Sequence, residues 1–316
     1  MSFNVVFFTE MPFIGKIKRD HPNMRTEFAW MCALQAYHFP IKHILEHQGS
    51  YYNKKYDLGI VITPKKEPNI GNVKKFKDVC EKVAIMQEGP NWYYQDYSLD
   101  LQINYYNNLC DSDFIFCHNL IDKVYYEGLT NHSKVYVLPS LMIEDSIKGI
   151  REVEKSGVMI GGNFVSWYGG FDSYVLASKF FDKKEIFGPK MGRAIAGESN
   201  LLNQLPYVQW DNWMIELSKR KLGIHLMRTH AAGTFALNCS YLGIPCIGYS
   251  ELDTQRILHP KTTVKNCDLY HASHIVEELL EDVDFYKYNS KLTKELYHEL
   301  YSEKVWLNNF YNIFKV

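Results

Sequence analysis

The sequence predicts an α/β protein built from two doubly wound parallel sheets, and three observations carry that expectation. Short apolar strands alternate with helical stretches as far as Leu138. The alternation breaks off in a polar, charged stretch over 140–155 and restarts at Val158. Residues 222–249 then spell out a complete βαβ unit. Such alternation is the pattern of a parallel sheet covered by its own crossover helices.

Taken in order, residues 4–8 make the first strand. Residues 24–38 read as a helix, because Asn23 can cap it and Met24, Phe28, Met31 and Leu34 are spaced for one buried face. Strands follow at 58–62, closed by Pro64, and at 83–86, which runs into Gln87-Glu88-Gly89-Pro90. A helix over 98–110 precedes strands at 114–117 and 134–138. In the second half a strand at 158–160 enters Gly161-Gly162-Asn163-Phe164. A helix over 174–181, a strand at 185–187 and a helix over 213–219 come next. Within 222–249, the apolar run 222–226 has strand length, and Gly233 and Thr234 open a helix reaching about Leu242. Gly243 stops that helix, Pro245 lies just past the stop, and 245–248 is the next strand. Amphipathic helices continue from His271 to the end. The expected domains are 1–145 and 146–316, with the last helices packing back on the first.

The 316 residues suffice for two domains, each burying its own core. Hydrophobic content of 46% and charged content of 22% belong to a soluble globular protein. No apolar run approaches the length of a membrane span, and no leader with a cleavable apolar core opens the chain. Seven cysteines without a Cys-x-x-Cys pair argue for a reducing cytoplasm and against a disulfide scaffold or structural zinc. A net charge of −1 offers nucleic acid no overall attraction. The distribution is uneven, however: 16–82 holds thirteen Lys/Arg against seven Asp/Glu, and 88–127 holds seven acids against Lys123 alone. A solvated face explains either block equally well.

Open parallel sheets bind ligands beyond the carboxyl ends of their strands, so the loops after Phe8, Met86, Ile160 and Leu226 matter most. Gly161, Gly162 and Asn163 let main chain approach a phosphate, though a plain tight turn would use the same residues. The helix start at Gly233-Thr234 aims free N–H groups at whatever lies beyond the preceding strand. Arg228 and Arg256 are placed to neutralise a diphosphate, or else to form surface ion pairs. Glu88 follows its strand directly and can act as a general base, or simply cap nearby N–H groups. The loop after Phe8 mixes Gly15, Lys16 and Arg19 with aromatic residues, and Arg25 opposes the dipole of the helix it opens. That set suits an anionic acceptor.

Three further patterns carry less. His43-Ile44-Leu45-Glu46-His47 matches a zinc-peptidase motif, yet it follows Pro40 and runs into Gly49, leaving little room for the supporting helix. Trp92-Tyr93-Tyr94, with Tyr97, Tyr105 and Tyr106, offers either a stacking platform or core packing. His271 and His274 read as surface residues or caps.

The strand into Gly161-Gly162-Asn163-Phe164, the Phe187-Gly188 strand end, the βαβ unit and Asp253-Thr254-Gln255-Arg256 agree in order and spacing with one family. The chain resembles GT-B glycosyltransferases over nearly its whole length, most of all the bacteriophage DNA beta-glucosyltransferases that modify hydroxymethylcytosine. The resemblance implies two Rossmann-like domains facing an interdomain cleft, with the acceptor on the N-terminal side. It implies a nucleotide-sugar donor, first of all a UDP-sugar, with no tightly bound cofactor and no required metal. It maps the family's catalytic base onto Glu88 and the residue that grips the donor ribose, commonly a glutamate, onto Asn238. The arginines that follow the glycine loop in the phage enzymes are replaced by the uncharged run 165–170, so Arg228 and Arg256 would supply the charge.

The activity implied is transfer of a sugar to a hydroxyl, on a hydroxymethylated base in duplex phage DNA or on a saccharide or lipopolysaccharide. In an inverting reaction Glu88 is the base; in a retaining one it only orients substrate. The location implied is the host cytoplasm for a phage-encoded chain. Two other classes remain open from sequence: a sugar-nucleotide epimerase-like enzyme, and a non-catalytic sugar or nucleic-acid binding protein on the same scaffold.

Overall fold

The computed structural model describes residues 3–24, 26–46, 56–64, 70–87, 89–131, 134–145, 147–150, 153–165, 167–189 and 197–315. They divide into two compact units, one of Met1–His21, Arg25–Pro139 and Trp306–Val316, the other of Pro22–Met24 and Ser140–Val305.

The first unit is built on seven strands: β1 (Val5–Thr9), β2 (Gly15–Lys16), β3 (Tyr37–Pro40), β4 (Tyr56–Thr63), β5 (Cys80–Gln87), β6 (Phe114–Cys117) and β7 (Val135–Val137). Their order is β2-β3-β1-β4-β5-β6-β7, parallel throughout except for the two-residue β2 against β3. Strands covered on both faces read as unbroken apolar runs, which is why β1, β4 and β5 were visible in sequence. Val6, Phe8, Val61, Ile85 and Ile115 pack on one face against Phe76, Tyr105 and Leu109. The helices are α1 (Thr26–Ala33), α2 (Ile41–Glu46), α3 (Leu99–Asp111) and α4 (Leu120–Thr130). The indoles of Trp30 and Trp306 both donate to the Pro139 carbonyl, at 3.2 and 2.9 Å.

One expectation fails here. The helix read over 24–38 ends at Ala33, and Tyr37–Pro40 is strand β3, parallel to β1. Met24, Phe28, Met31 and Leu34 are all buried as the spacing predicts. The stop is a Schellman motif: Gln35 N–H reaches Cys32 O (3.1 Å), Ala36 N–H reaches Met31 O (2.9 Å), and Gln35 takes φ 49°. A glutamine in the left-handed slot carries no sequence signature, so the helix seemed to run on.

The second unit holds β8 (Val158–Ile160), β9 (Ile186–Pro189), β10 (Asn203–Leu205), β11 (Leu222–His225), β12 (Cys246–Tyr249) and β13 (Thr263–Val264). Their order, β10-β9-β8-β11-β12-β13 and wholly parallel, is the Rossmann order, with its switch point between β8 and β11. Around it lie α5 (Gly170–Ala177), α6 (Trp210–Ser218), α7 (Thr234–Tyr241), α8 (Asp253–Leu258), α9 (Leu269–Glu281) and α10 (Val283–Leu300). A last helix, α11 (Glu303–Phe314), ends the chain. α5 begins four residues before the expected 174 because Gly169, at φ 75°, takes the N-cap position. The stretch read as a connection buries Leu141, Met142, Ile143 and Ile147. β10 and β13, of three and two residues, are too short for any period to show.

His259 staples this unit. Its Nε2 lies 2.9 Å from Ala236 O, which can only accept, so Nε2 carries the proton and Nδ1 accepts from Cys246 N–H (3.3 Å) and the Thr293 hydroxyl (3.0 Å). Burial holds the ring neutral, with its pKa pulled down to about 4.

Candidate functional site

In the second unit the two strand-to-helix corners named from sequence are packed main chain to main chain. β8 and β11 pair in register up to Ile160 opposite Ile224, so Gly161 and His225 share the next rung. A Cβ at Gly161 would sit 2.7 Å from the His225 ring, which explains the glycine. Gly169 lies so close to the Leu226 carbonyl that any Cβ there would collide with it. Ser173 locks the join: its hydroxyl donates to Gly169 O (2.7 Å) and accepts from Leu226 N–H (2.9 Å). The β8–α5 and β11–α7 corners therefore open at one place, the switch point of the sheet.

The loop from Gly161 to Gly170 is a compact nest. The Gly161 amide is spent on Ile224 O (2.7 Å), so it is no ligand donor. Gly162, at φ 76°, folds against Tyr168, and Gly170 N–H closes the loop onto Asn163 O (3.0 Å). Asn163 is buried, and its side-chain oxygen accepts from Val165 N–H (3.3 Å). The N–H groups of Gly162 and Asn163 are left without a partner among the described residues, and these are the donors the loop offers. Glu198, missed from sequence, is buried beneath and accepts from Phe164 N–H (3.3 Å).

Across the corner, Gly233 takes φ 68° and N-caps α7 with no side chain. Thr254 braces it, its hydroxyl donating to Gly233 O at 3.0 Å. With no capping side chain, the first-turn amides from Thr234 onward keep their partial positive charge for a ligand. Thr234 itself is exposed. His225 lies beneath, edge-on to Phe235 at 5.3 Å. Burial lowers its pKa to about 4; the Tyr168 main chain favours the proton slightly, but neither ring nitrogen has a well-formed hydrogen bond among the described residues.

The two arginines separate. Arg228 is gripped bidentately by Asp172 of α5, donating through Nε to Oδ2 (2.8 Å) and through Nη2 to Oδ1 (3.0 Å), with half its side chain exposed. The carboxylate raises the arginine's pKa and fixes the fork, leaving outward donors for an anion. Arg256 is turned elsewhere: Thr254, not Arg256, faces Gly233, and Arg256 pairs with Asp253 on its own helix at 2.8 Å. Asn238 is also turned inward. It is buried, donates to Thr234 O (3.0 Å) and accepts from the Trp213 indole (3.1 Å). Its role is to hold α7 against α6, and the expected ribose contact has no support in this geometry.

In the first unit, Glu88 and Arg25 lie outside the described residues, as does His47 of the zinc-peptidase pattern. His43 stacks flat on Phe39 within the six-residue α2. Gly15, at φ 130°, and exposed Lys16 form β2, and Arg19 is exposed nearby in sequence. That loop is tied down by buried His38: Nδ1 donates to Phe13 O (2.8 Å) and Nε2 accepts from the Thr9 hydroxyl (2.9 Å). Desolvation brings the His38 pKa to about 4. Two tyrosines of the cluster pack: Tyr94 bonds Tyr125 (2.6 Å), and Tyr105 bonds Tyr126 (3.1 Å) inside the core, while Tyr106 is exposed. His271 lies in the first turn capped by Asp268, and His274 pairs with Glu277 at the surface.

No protein-family model and no curated protein matches the sequence. Solved structures do match the fold. HepE from Anabaena, in complex with UDP, aligns at TM-score 0.67 and 9% identity over 99% of each chain. An alpha-glucosyltransferase in complex with UDP-glucose and DNA containing an abasic site aligns at 0.62 and 12% identity, again over 99% of each. S. aureus TarM in complex with UDP aligns at 0.59 and 9% identity over 82% of this chain, which spans 55% of TarM. At such identities the likeness establishes the fold. It is the GT-B fold, with two Rossmann-like parallel-sheet halves, as the sequence resemblance implied.

Proposed function

We propose that this protein is a glycosyltransferase that binds a UDP-sugar at the switch point of its second unit and transfers the sugar to a hydroxyl. The observation that carries the reading is the joined pair of corners: glycine backbone at 162 and 169, an uncapped α7 start, and Arg228 held in a fixed fork. A departing diphosphate needs several N–H donors and one oriented cation, and needs them already in place. Structures of this fold that contain UDP or UDP-sugars support the choice of donor.

In the reaction the acceptor oxygen forms a bond to the anomeric carbon as the carbon–oxygen bond to UDP breaks. The leaving electron pair goes to the diphosphate, where the loop amides, the α7 start and Arg228 stabilise it. In an inverting course the acceptor proton passes to a carboxylate, the role proposed for Glu88. In a retaining course leaving-group stabilisation dominates, and the acceptor proton passes to the departing diphosphate oxygen.

A hydroxymethylated base in duplex DNA is the first acceptor we propose, on the sequence resemblance and the DNA-bound neighbour. One observation favours a saccharide instead. Lys74 is taken up by Asp111 (3.0 Å), and Lys77 and Lys82 by Asp113 (3.3 and 3.6 Å). The basic block thus spends part of its charge on the acidic one, and DNA binding draws on unpaired cations. Calorimetric titration with UDP and UDP-glucose should show saturable binding. UDP release should then depend on duplex DNA carrying 5-hydroxymethylcytosine, or on a saccharide in its place. Saturable UDP binding with no sugar transferred to any acceptor would overturn the enzymatic reading.

A further inference from the structure

Thr63 and Gln87 are the last residues of β4 and β5 and stand directly opposite each other in the parallel register. One rung inward on the same face, Val61 and Ile85 belong to the apolar core. The column therefore changes from two hydrocarbons to a hydroxyl and an amide at the carboxyl edge, where ligands of such sheets bind. Both side chains are more than nine-tenths buried, with 3% and 8% exposure. Neither Thr63 Oγ1 nor Gln87 Oε1 has a hydrogen-bond partner among the described residues.

The amide cannot escape by rotating. Gln87 Nε2 donates to the Pro90 carbonyl at 2.7 Å, and exchanging its ends would set two oxygens against each other. Oε1 is thus committed as an acceptor that needs a donor, while the Thr63 hydroxyl can give one proton and accept another. Neighbouring strands run about 4.8 Å apart, so the two side chains leave the same edge side by side. A buried polar group left unpaired is destabilising, and a pair of them on one rung calls for a specific occupant.

We propose that Thr63 and Gln87 form a hydroxyl-reading subsite for the acceptor, which rests on the glycosyl-transfer reading above. The ligand O–H donates to Gln87 Oε1 while its oxygen accepts from the Thr63 hydroxyl. The pair takes a neutral O–H group, which a ligand alcohol supplies in place of a resident water, and it rejects a carboxylate or phosphate oxygen, which has no proton to give Oε1. Gln87 immediately precedes Glu88 in the chain, so the reader and the proposed base share one segment.

The test uses Thr63→Val and Gln87→Met, near-isosteres that remove the polar atoms, in the full chain. Acceptor KM, measured with methyl β-D-glucopyranoside and with duplex DNA carrying 5-hydroxymethylcytosine, should rise at least tenfold in each variant. UDP affinity should stay within twofold. Tm of ligand-free Thr63→Val should hold or rise, because only an unpaired buried hydroxyl has been deleted, whereas Gln87→Met also gives up the bond to Pro90 and should lose some stability. A structural role for the Thr63 hydroxyl would lower the Thr63→Val Tm instead. An unchanged acceptor KM, or a fallen Tm with UDP affinity lost, overturns the proposal. A readout independent of turnover is the Gln87 side-chain amide resonance, titrated with methyl β-D-glucopyranoside and 5-hydroxymethyl-2′-deoxycytidine. A saturable shift abolished by Thr63→Val supports the subsite; no shift with either probe overturns it. Absence of UDP binding in the wild-type chain would sink the donor reading alone, and the titration would still decide this site.

Discussion

The two sheets finish their carboxyl edges in different materials. In the second unit the edge is main chain: Gly161, Gly162, Gly169, Gly170 and Gly233 each sit where a Cβ would strike a neighbour. In the first unit the edge is side chain: Thr9 engaged with His38, and Thr63 and Gln87 left open. A diphosphate is nearly the same in every nucleotide sugar, and main-chain amides suit a constant ligand. Acceptors vary, and side chains are what sequence change can retune. On the proposed function, the difference would divide acceptor specificity from charge stabilisation between the two edges.

The comparison breaks most visibly at Gly169. Alanine there combines a positive φ with a collision against the Leu226 carbonyl, which belongs to backbone and cannot swing away. We expect Gly169→Ala to lose more than about 2 kcal/mol of stability and all measurable UDP affinity. Urea unfolding and calorimetry read both. A variant of wild-type stability would show that the two corners are not locked together.

Acid is the next largest perturbation, and both units should feel it. His38, His225 and His259 have folded pKa values near 4 against about 6.5 unfolded. Between those values the unfolded chain binds more protons, so stability is complete above about pH 6.5 and is lost as pH falls towards 4. The urea midpoint should be flat from pH 8 to 7 and decline steadily below 6.5. His38→Gln should flatten part of the decline. A midpoint unchanged down to pH 4.5 would contradict the buried neutral rings.

Arg228 and Asn238 sharpen the donor side, since sequence gave them similar roles and the structure divides them. Arg228→Ala should weaken UDP binding about tenfold or more, the worth of a charge-assisted hydrogen bond. Arg228 is half exposed but Asp172 is not, so the variant should also lose about 1–3 kcal/mol of folding stability as the buried carboxylate is left unpaired. Asn238→Ala should lose a similar amount of stability, about 1–3 kcal/mol, as the Trp213 indole loses its acceptor, but with UDP affinity within twofold. Reversed effects on UDP affinity would restore Asn238 as a ribose contact.

The smallest effect has the opposite sign. Gly128 lies within α4 with open space around its Cα, so Gly128→Ala should stabilise the first unit by about 0.5–1 kcal/mol. A glycine that is dispensable there and one that is indispensable at 169 would make the contrast quantitative.

Sequence carried the repetitive part of this molecule well. Apolar runs marked β1, β4, β5, β8 and β11, and Gly243 marked the end of α7 because a left-handed cap favours glycine. The same rule misled at Gln35, where a glutamine takes that conformation and the strand Tyr37–Pro40 was absorbed into a helix. The corners at 161 and 233 were legible as glycine turns. Their joining through Ser173 and Thr254 was not, since each lies far along the chain from its partner. Residue type pointed to Arg256, while α8 turns it from the corner and presents Thr254. His225 and Glu198 gave no local signal at all; only the register opposite Gly161 and the loop over Glu198 reveal them.

Backbone amide hydrogen exchange with and without saturating UDP is the most direct trial of the donor corner. Slowed exchange confined to 162–170 and 233–236 is the outcome that follows from amides gripping a diphosphate. Unaltered exchange in both stretches while UDP is bound would place the nucleotide elsewhere and contradict the account.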